Sequence, residues 1–147
     1  MIIGVGVDIV KIERFENLTP HFMRRVFTER EREYLSGRKA QSIAGIFAAK
    51  EAIAKALGTG FVGFSPCDIE ILHKQNGAPY AILHNAAKKT AKSTTSNSVP
   101  QYTKRSRRFS LKISISHTNT DAIAYAVISQ LLKRFTFCSS APQDPLP

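Results

Sequence analysis

The sequence predicts an α+β fold, a small antiparallel sheet packed against helices that include one long buried helix. Three observations carry that expectation. Ile2–Val10 alternates with the period of two that marks a strand. Ile43–Leu57 is rich in alanine, repeats its larger apolar residues at helical spacing and runs into Gly58, a residue suited to a left-handed helix cap. Leu111–Ser116 and Ala122–Ile128 flank His117–Asp121, as two antiparallel strands do across a five-residue loop. At 147 residues the chain buries one core, so 1–129 is expected to form a single domain.

In the first strand Ile3, Val5, Val7 and Ile9 share one face, and Gly4, Gly6 and Asp8 share the other. Two glycines beside the aspartate leave that face bare, open to another backbone or a ligand. The Gly4-Val-Gly6 run is not a dinucleotide fingerprint, because Ile9 stands where the third glycine is needed. Thr19-Pro20 reads as an N-cap followed by a first-turn proline, opening a short helix with Phe22, Met23, Val26 and Phe27. Arg14, Arg24 and Arg25 form either a solvated face or, with these apolar residues, a dock for an acidic helix. Thr28–Glu31 is a capping box for another short helix that stops near Gly37. Beyond the long helix come a loop at Phe61–Pro66, a strand at Cys67–His73 and a turn at Asn76–Pro79. A short helix then runs from about Tyr80 toward Lys92. Residues 93–108, poor in apolar side chains and ending Lys104-Arg-Ser-Arg-Arg108, read as a mobile basic loop, and 130–147 as a flexible tail.

Around the long helix, Ile43, Ile46, Phe47, Ile53, Ala54 and Leu57 make an apolar stripe, and most of the remaining circumference is alanine or glycine. Set into it are Lys50, Glu51 and Lys55. An exposed Glu51–Lys55 pair is one explanation. Such charges in apolar surroundings, however, need partners, which points to a site.

The formal net charge is +10, which favours anionic partners. It is uneven: every acid except Asp121 and Asp144 lies at or before Glu70. No apolar run is long enough for a membrane span, and the amino-terminal apolar run lacks the basic start of a signal peptide. Cys67 and Cys138 have no metal-ligand spacing, so a cytoplasmic setting is expected. Adjacent Ser116 and His117 do not make a catalytic dyad, and His21, His73 and His84 carry no clearer signal. Asp8 and Glu51 stand out as acids within small-residue elements. Two carboxylates from different elements suit Mg²⁺ when phosphate and water oxygens complete an octahedron, and Lys55 is placed to neutralise phosphate charge.

Together, Ile3-Gly-Val-Gly-Val-Asp8-Ile-Val, Phe47-Ala-Ala-Lys-Glu-Ala-Ile-Ala-Lys-Ala-Leu-Gly-Thr-Gly60, Asp68-Ile-Glu-Ile, Asn76-Gly-Ala-Pro79 and Ile115-Ser-His-Thr118 occur in the order seen in the holo-acyl-carrier-protein synthase family. The resemblance to these 4′-phosphopantetheinyl transferases covers roughly 1–92 and 110–129. It implies transfer of 4′-phosphopantetheine from coenzyme A to a serine of apo-acyl carrier protein, releasing adenosine 3′,5′-bisphosphate. By this likeness Asp8 and Glu51 hold Mg²⁺, and Lys55 stabilises the phosphate under attack. Gly58, Thr59, Gly60, Asn76, Gly77, Pro79, Ser116, His117 and Thr118 resemble coenzyme A contacts, and Arg14, Arg24 and Arg25 match the carrier-docking region. The likeness also implies a homotrimer with sites between subunits. Departures are a shorter segment after Asp8, a longer basic loop at 93–108 and an added tail after Ser129. The rival reading is a polyanion-binding module built on Lys104–Arg108. It lacks a stacking platform and leaves Asp8, Lys50, Glu51 and Lys55 without a role.

Overall fold

The computed structural model describes residues 1–97 and 108–131. Strand β1 (Ile2–Lys11) leads through a 3₁₀ turn (Ile12–Phe15) to helices α1 (Pro20–Val26), α2 (Glu29–Leu35) and α3 (Ala40–Ala56). A second 3₁₀ turn (Pro66–Asp68) precedes β2 (Ile69–His73) and β3 (Pro79–Leu83), followed by α4 (Asn85–Asn97), β4 (Arg108–His117) and β5 (Asp121–Leu131). The expected small sheet is in fact two. β1, β5 and β4 form an antiparallel sheet with β5 central, and β2 and β3 form a separate hairpin.

Helix α3 lies across β1 and β5, with Ala44, Ala48, Ala49, Ala52, Ile53 and Ala54 each fully buried. The bare strand face foreseen from the glycines is its seat. A Cβ on Gly4 would collide with the Ala56 carbonyl, and one on Gly6 with the Ala52 carbonyl. The alternation of β1 was read correctly, but its larger side chains face away from the helix. Val5, Val7 and Ile9 remain 48%, 49% and 64% exposed, while Gly6 and Val10 are buried. Behind the helix, Phe15 and Phe22 pack on Phe47 at ring-centroid distances of 5.1 and 6.3 Å. Complete burial of Ile53 and Ile46 stabilises by about 1.5–3 kcal/mol each.

The caps form as the sequence predicts: Thr19 accepts from the Phe22 amide, and Thr28 and Glu31 make a reciprocal capping box. Gly58, at φ 83°, ends the long helix. Four boundaries need correction. The strand expected from Cys67 begins only at Ile69, because Cys67 and Asp68 belong to the 3₁₀ turn that Ser65 caps. Tyr80–Leu83 is not the start of a helix but β3, because each of its residues pairs with β2 from Leu72 back to Ile69; helix begins only at Asn85 and runs to Asn97, inside the expected basic loop. The β4–β5 connection is Thr118–Thr120, shorter than expected, because His117 pairs with Ala122. Gln130 and Leu131 extend β5 rather than opening the tail. Most of the expected loop, including Lys104, and residues 132–147 lie outside the described residues.

Candidate active site

β1 and α3 bring Asp8, Glu51 and Lys55 to one place. The Lys55 ammonium donates to Asp8 Oδ1 at 2.8 Å and to the Val7 carbonyl at 3.1 Å. Lys55 therefore pairs across elements with Asp8, rather than along the helix with Glu51 as the alternative explanation had it. Asp8 Oδ2 is buried without a hydrogen-bond partner, an expensive condition for a carboxylate oxygen. Half-buried Glu51 has its pKa raised, first by burial and then by the charge of Asp8, with Lys55 pulling the other way. Two acids that repel each other, one carrying an unused buried acceptor, fit a hard divalent cation. Among the described residues no cluster of three or more His, Cys, Asp or Glu gathers, so such a cation would need oxygens from another molecule.

One turn beyond Lys55 the chain folds back. The Gly58 amide donates to the Lys55 carbonyl at 3.0 Å and the Gly60 amide to that of Ala54 at 3.2 Å. Both glycines have positive φ, 83° and 58°, with open space where a Cβ would stand. Thr59, between them, turns its hydroxyl to the Gly60 carbonyl.

A second recess, of about 200 Å³, joins Gly77 and Pro79 of the β2–β3 hairpin to His117 at the end of β4. Of the residues likened to coenzyme A contacts, Gly77, Pro79 and His117 share this recess. Its walls include Tyr34, His73 and the first turns of α3. His73 stacks on Tyr34 at 4.7 Å, and the Arg38 guanidinium lies 3.9 Å from the centre of the same Tyr34 ring. Burial, then the Arg38 charge, lowers the His73 pKa, and its Nδ1 is buried without a partner. Alongside, Arg38, Lys39 and His117 line a more open hollow of about 370 Å³ at the start of α3. Two cations and a helix N-terminus there favour an anion. Asn76, Ser116 and Thr118 do not line either recess. Asn76 accepts from the Ala78 amide within its turn, Ser116 is exposed, and Thr118 accepts from the amides of Thr120 and Asp121.

Arg14, Arg24 and Arg25 are exposed, the first on the turn after β1 and the others on α1. The Cys67 thiol meets the carbonyls of Arg24 and Arg25 at 3.6 and 3.3 Å, fixing the end of α1. A groove of about 760 Å³ runs between α1 and the Phe64–Pro66 loop, with Phe22 and Arg25 on its wall.

Sequence reasoning missed several groups. Asp8 and Glu51 are not the most enclosed acids, since Glu31 is 0% and Glu70 4% exposed. Lys50, 1% exposed, bonds Glu31 at 2.7 Å. The capping box flagged Glu31, but its second partner lies on another helix. Tyr34, Arg38, Lys39 and His73 gave no local pattern, although Arg38-Lys39 ahead of the long helix is a signal that was available.

The 4′-phosphopantetheinyl transferase superfamily model matches residues 4–114. Holo-[acyl-carrier-protein] synthase from Clostridium perfringens (strain 13 / Type A) is 46% identical over 133 residues, spanning 87% of this chain and 94% of that protein. The synthase from Clostridium botulinum (strain Alaska E43 / Type E3) is also 46% identical, spanning 87% and 98%. Among solved structures, the Bacillus anthracis synthase in complex with CoA (3′,5′-ADP) superposes with a TM-score of 0.67 at 33% identity, covering 87% of this chain and 96% of that one. The Helicobacter pylori synthase in complex with coenzyme A gives 0.67 at 33%, covering 85% and 99%. With matching sequence, matching fold and the aspartate strand seated on the Lys-Glu helix, the chain belongs to the holo-[acyl-carrier-protein] synthase family of 4′-phosphopantetheinyl transferases.

Proposed function

We propose that this chain transfers the 4′-phosphopantetheine group of coenzyme A to a serine of an apo-acyl carrier protein at the Asp8–Glu51–Lys55 cluster, supporting fatty acid synthesis in the cytoplasm. The observation that carries this reading is the Lys55–Asp8 contact at 2.8 Å beside an orphaned Asp8 oxygen and a Glu51 held toward its protonated form. Asp8 and Glu51 would hold Mg²⁺, which when bound supplies neutralising charge for the coenzyme A pyrophosphate. Lys55, half-exposed, reaches from Asp8 to the phosphate under attack and stabilises charge gathering on its oxygens. The serine oxygen forms the new bond to phosphorus, the pyrophosphate bond breaks, adenosine 3′,5′-bisphosphate leaves and the hydroxyl proton is released. Positioning and charge neutralisation carry most of such a displacement.

The cationic hollow of Arg38 and Lys39 and the neighbouring Gly77–Pro79–His117 recess lie at the opposite end of α3 from Lys55 and suit the nucleotide end of a coenzyme A held by a neighbouring subunit. Gly58–Gly60 lies beside Lys55 and suits the pantetheine end. Arg14, Arg24 and Arg25 offer the acidic carrier a basic face. The outer sheet face supports self-association as a homotrimer: Val7 and Tyr125 pair side by side, as do Ile9 and Ile123, and all four are exposed. Such a patch seeks cover, and in a trimer Ser116–Thr118 would serve a neighbour's ligand.

Titration calorimetry tests the metal site. Coenzyme A is expected to bind the parent more tightly with Mg²⁺ than with chelator, and this difference is expected to vanish in Asp8→Asn and Glu51→Gln. A full Mg²⁺ effect in both variants would remove the metal from these residues.

A further inference from the structure

Lys50 and Glu31 take no part in that mechanism, yet they are among the largest fully buried side chains. All three ammonium protons of Lys50 are used: on Glu31 Oε2 at 2.7 Å, on the Ile69 carbonyl at 2.6 Å and on the Pro66 carbonyl at 3.0 Å. Glu31 is equally committed. Its Oε1 accepts from the Ile71 amide and its Oε2 from the Thr28 amide, both at 2.7 Å. The network therefore joins α2, α3 and the first residues of the β2–β3 hairpin, and it leaves neither charge unpaired.

Stability alone does not account for it. A buried ion pair returns little over a well-packed apolar pair of similar volume, because desolvation of both ions offsets their attraction. Burial lowers the Lys50 pKa against the pull of Glu31, in keeping with that cost. The pair does provide direction, and the face that α3 lays on β1 provides little of its own. Its contact with β1 is alanine against glycine, at Ala52 and Ala56 over Gly4 and Gly6. Smooth surfaces of that kind resist rotation about the helix axis weakly, because no side chain on one locks into a hole on the other. Lys50 is the polar peg on the opposite side. Glu51 follows it by about 100° around the helix, and Lys55 shares the Glu51 face.

We infer that Lys50 is a positioning residue for the transfer reaction: anchored by Glu31 and the Pro66 and Ile69 carbonyls, it fixes the rotation of α3 so that Glu51 and Lys55 meet Asp8. The inference rests on the assignment of Glu51 to the reacting site. Displacements of about 1 Å at such a site cost on the order of 100-fold in rate, so a small turn of the helix is enough to be read.

The test uses the full chain with coenzyme A, Mg²⁺ and an apo-carrier, in Lys50→Met and in Glu31→Gln/Lys50→Met, where neither charge remains. Circular dichroism and thermal melting establish folding first. The expected result for the folded double variant is a kcat at least tenfold below the parent, a several-fold higher Mg²⁺ concentration for half-maximal rate, and a carrier KM within twofold of the parent. Parental kcat and Mg²⁺ dependence in a folded variant would overturn the positioning role. So would unfolding of both variants at the assay temperature, which would make the network a stability element. Glu51→Gln runs in parallel: full activity there would overturn the site assignment itself, whereas an inactive Glu51→Gln beside a parental Lys50→Met would overturn positioning alone.

Discussion

Placing a methyl group on Gly6 tests how β1 is held against α3, and therefore how Asp8 reaches Lys55. A Cβ at Gly6 collides with the Ala52 carbonyl oxygen and comes within 2.7 Å of the Ala56 nitrogen. Both obstacles are backbone of one buried helix, so neither can swing aside. Overpacking commonly costs about 1–3 kcal/mol, and an immovable obstacle places Gly6→Ala at the upper end, about 3 kcal/mol. For a chain of this length that is a fall in Tm of roughly 6–12 °C. Gly45→Ala is the control. Its Cβ would meet only the Ile115 Cγ2 methyl, at 2.9 Å, and that side chain can shift. Alanine inside a helix also gains up to about 1 kcal/mol over glycine, so Gly45→Ala is expected near neutral. Thermal melting by circular dichroism compares the two, and turnover is expected to fall with Gly6→Ala as Asp8 is lifted from Lys55. A Gly6→Ala melting point within 2 °C of the parent, or above that of Gly45→Ala, would refute the packing argument.

Three further outcomes follow from the same geometry. Because burial and Asp8 raise the Glu51 pKa, the carboxylate protonates at higher pH than an ordinary glutamate, so Mg²⁺-dependent activity is expected to fail early as pH drops; raising Mg²⁺, which competes with the proton, should move that acid limb to lower pH, and a limb indifferent to Mg²⁺ would count against the metal at Glu51. Replacing both Arg24 and Arg25 by Glu should raise the carrier KM about tenfold or more at low salt with little change in kcat, read from initial rates; an unchanged KM would move the dock elsewhere. Val7→Lys together with Tyr125→Lys, on the exposed outer sheet face, should reduce the mass seen by light scattering toward that of one chain, and an unchanged assembly would exclude that face as the interface.

The periodicity of β1, the alanine-rich α3 and the caps at Thr19 and Thr28 were legible because each is local: a few neighbouring residues decide them. Asp8 and Glu51 stood out for a related reason, since charge among glycine and alanine is conspicuous without a third dimension. Lys50 stood out in the same way, but its partner did not, because Glu31 already had a satisfactory local role in its capping box. The failure at Tyr80–Leu83 has the opposite cause. Pairing with β2 decided that segment, and no neighbour within it records the pairing. The glycine face of β1 was legible as a place for close backbone approach, and there the small residues, rather than Val5, Val7 and Ile9, seat the helix.

The most direct test of the central claim is the intact mass of a purified apo-acyl carrier protein after incubation with this chain, coenzyme A and Mg²⁺. Gain of one phosphopantetheine group, abolished by chelator and by Glu51→Gln, is the predicted result. Gain that survives both would keep the reaction and contradict the Asp8–Glu51 metal site, and no gain on several folded carriers would contradict the transfer reaction itself.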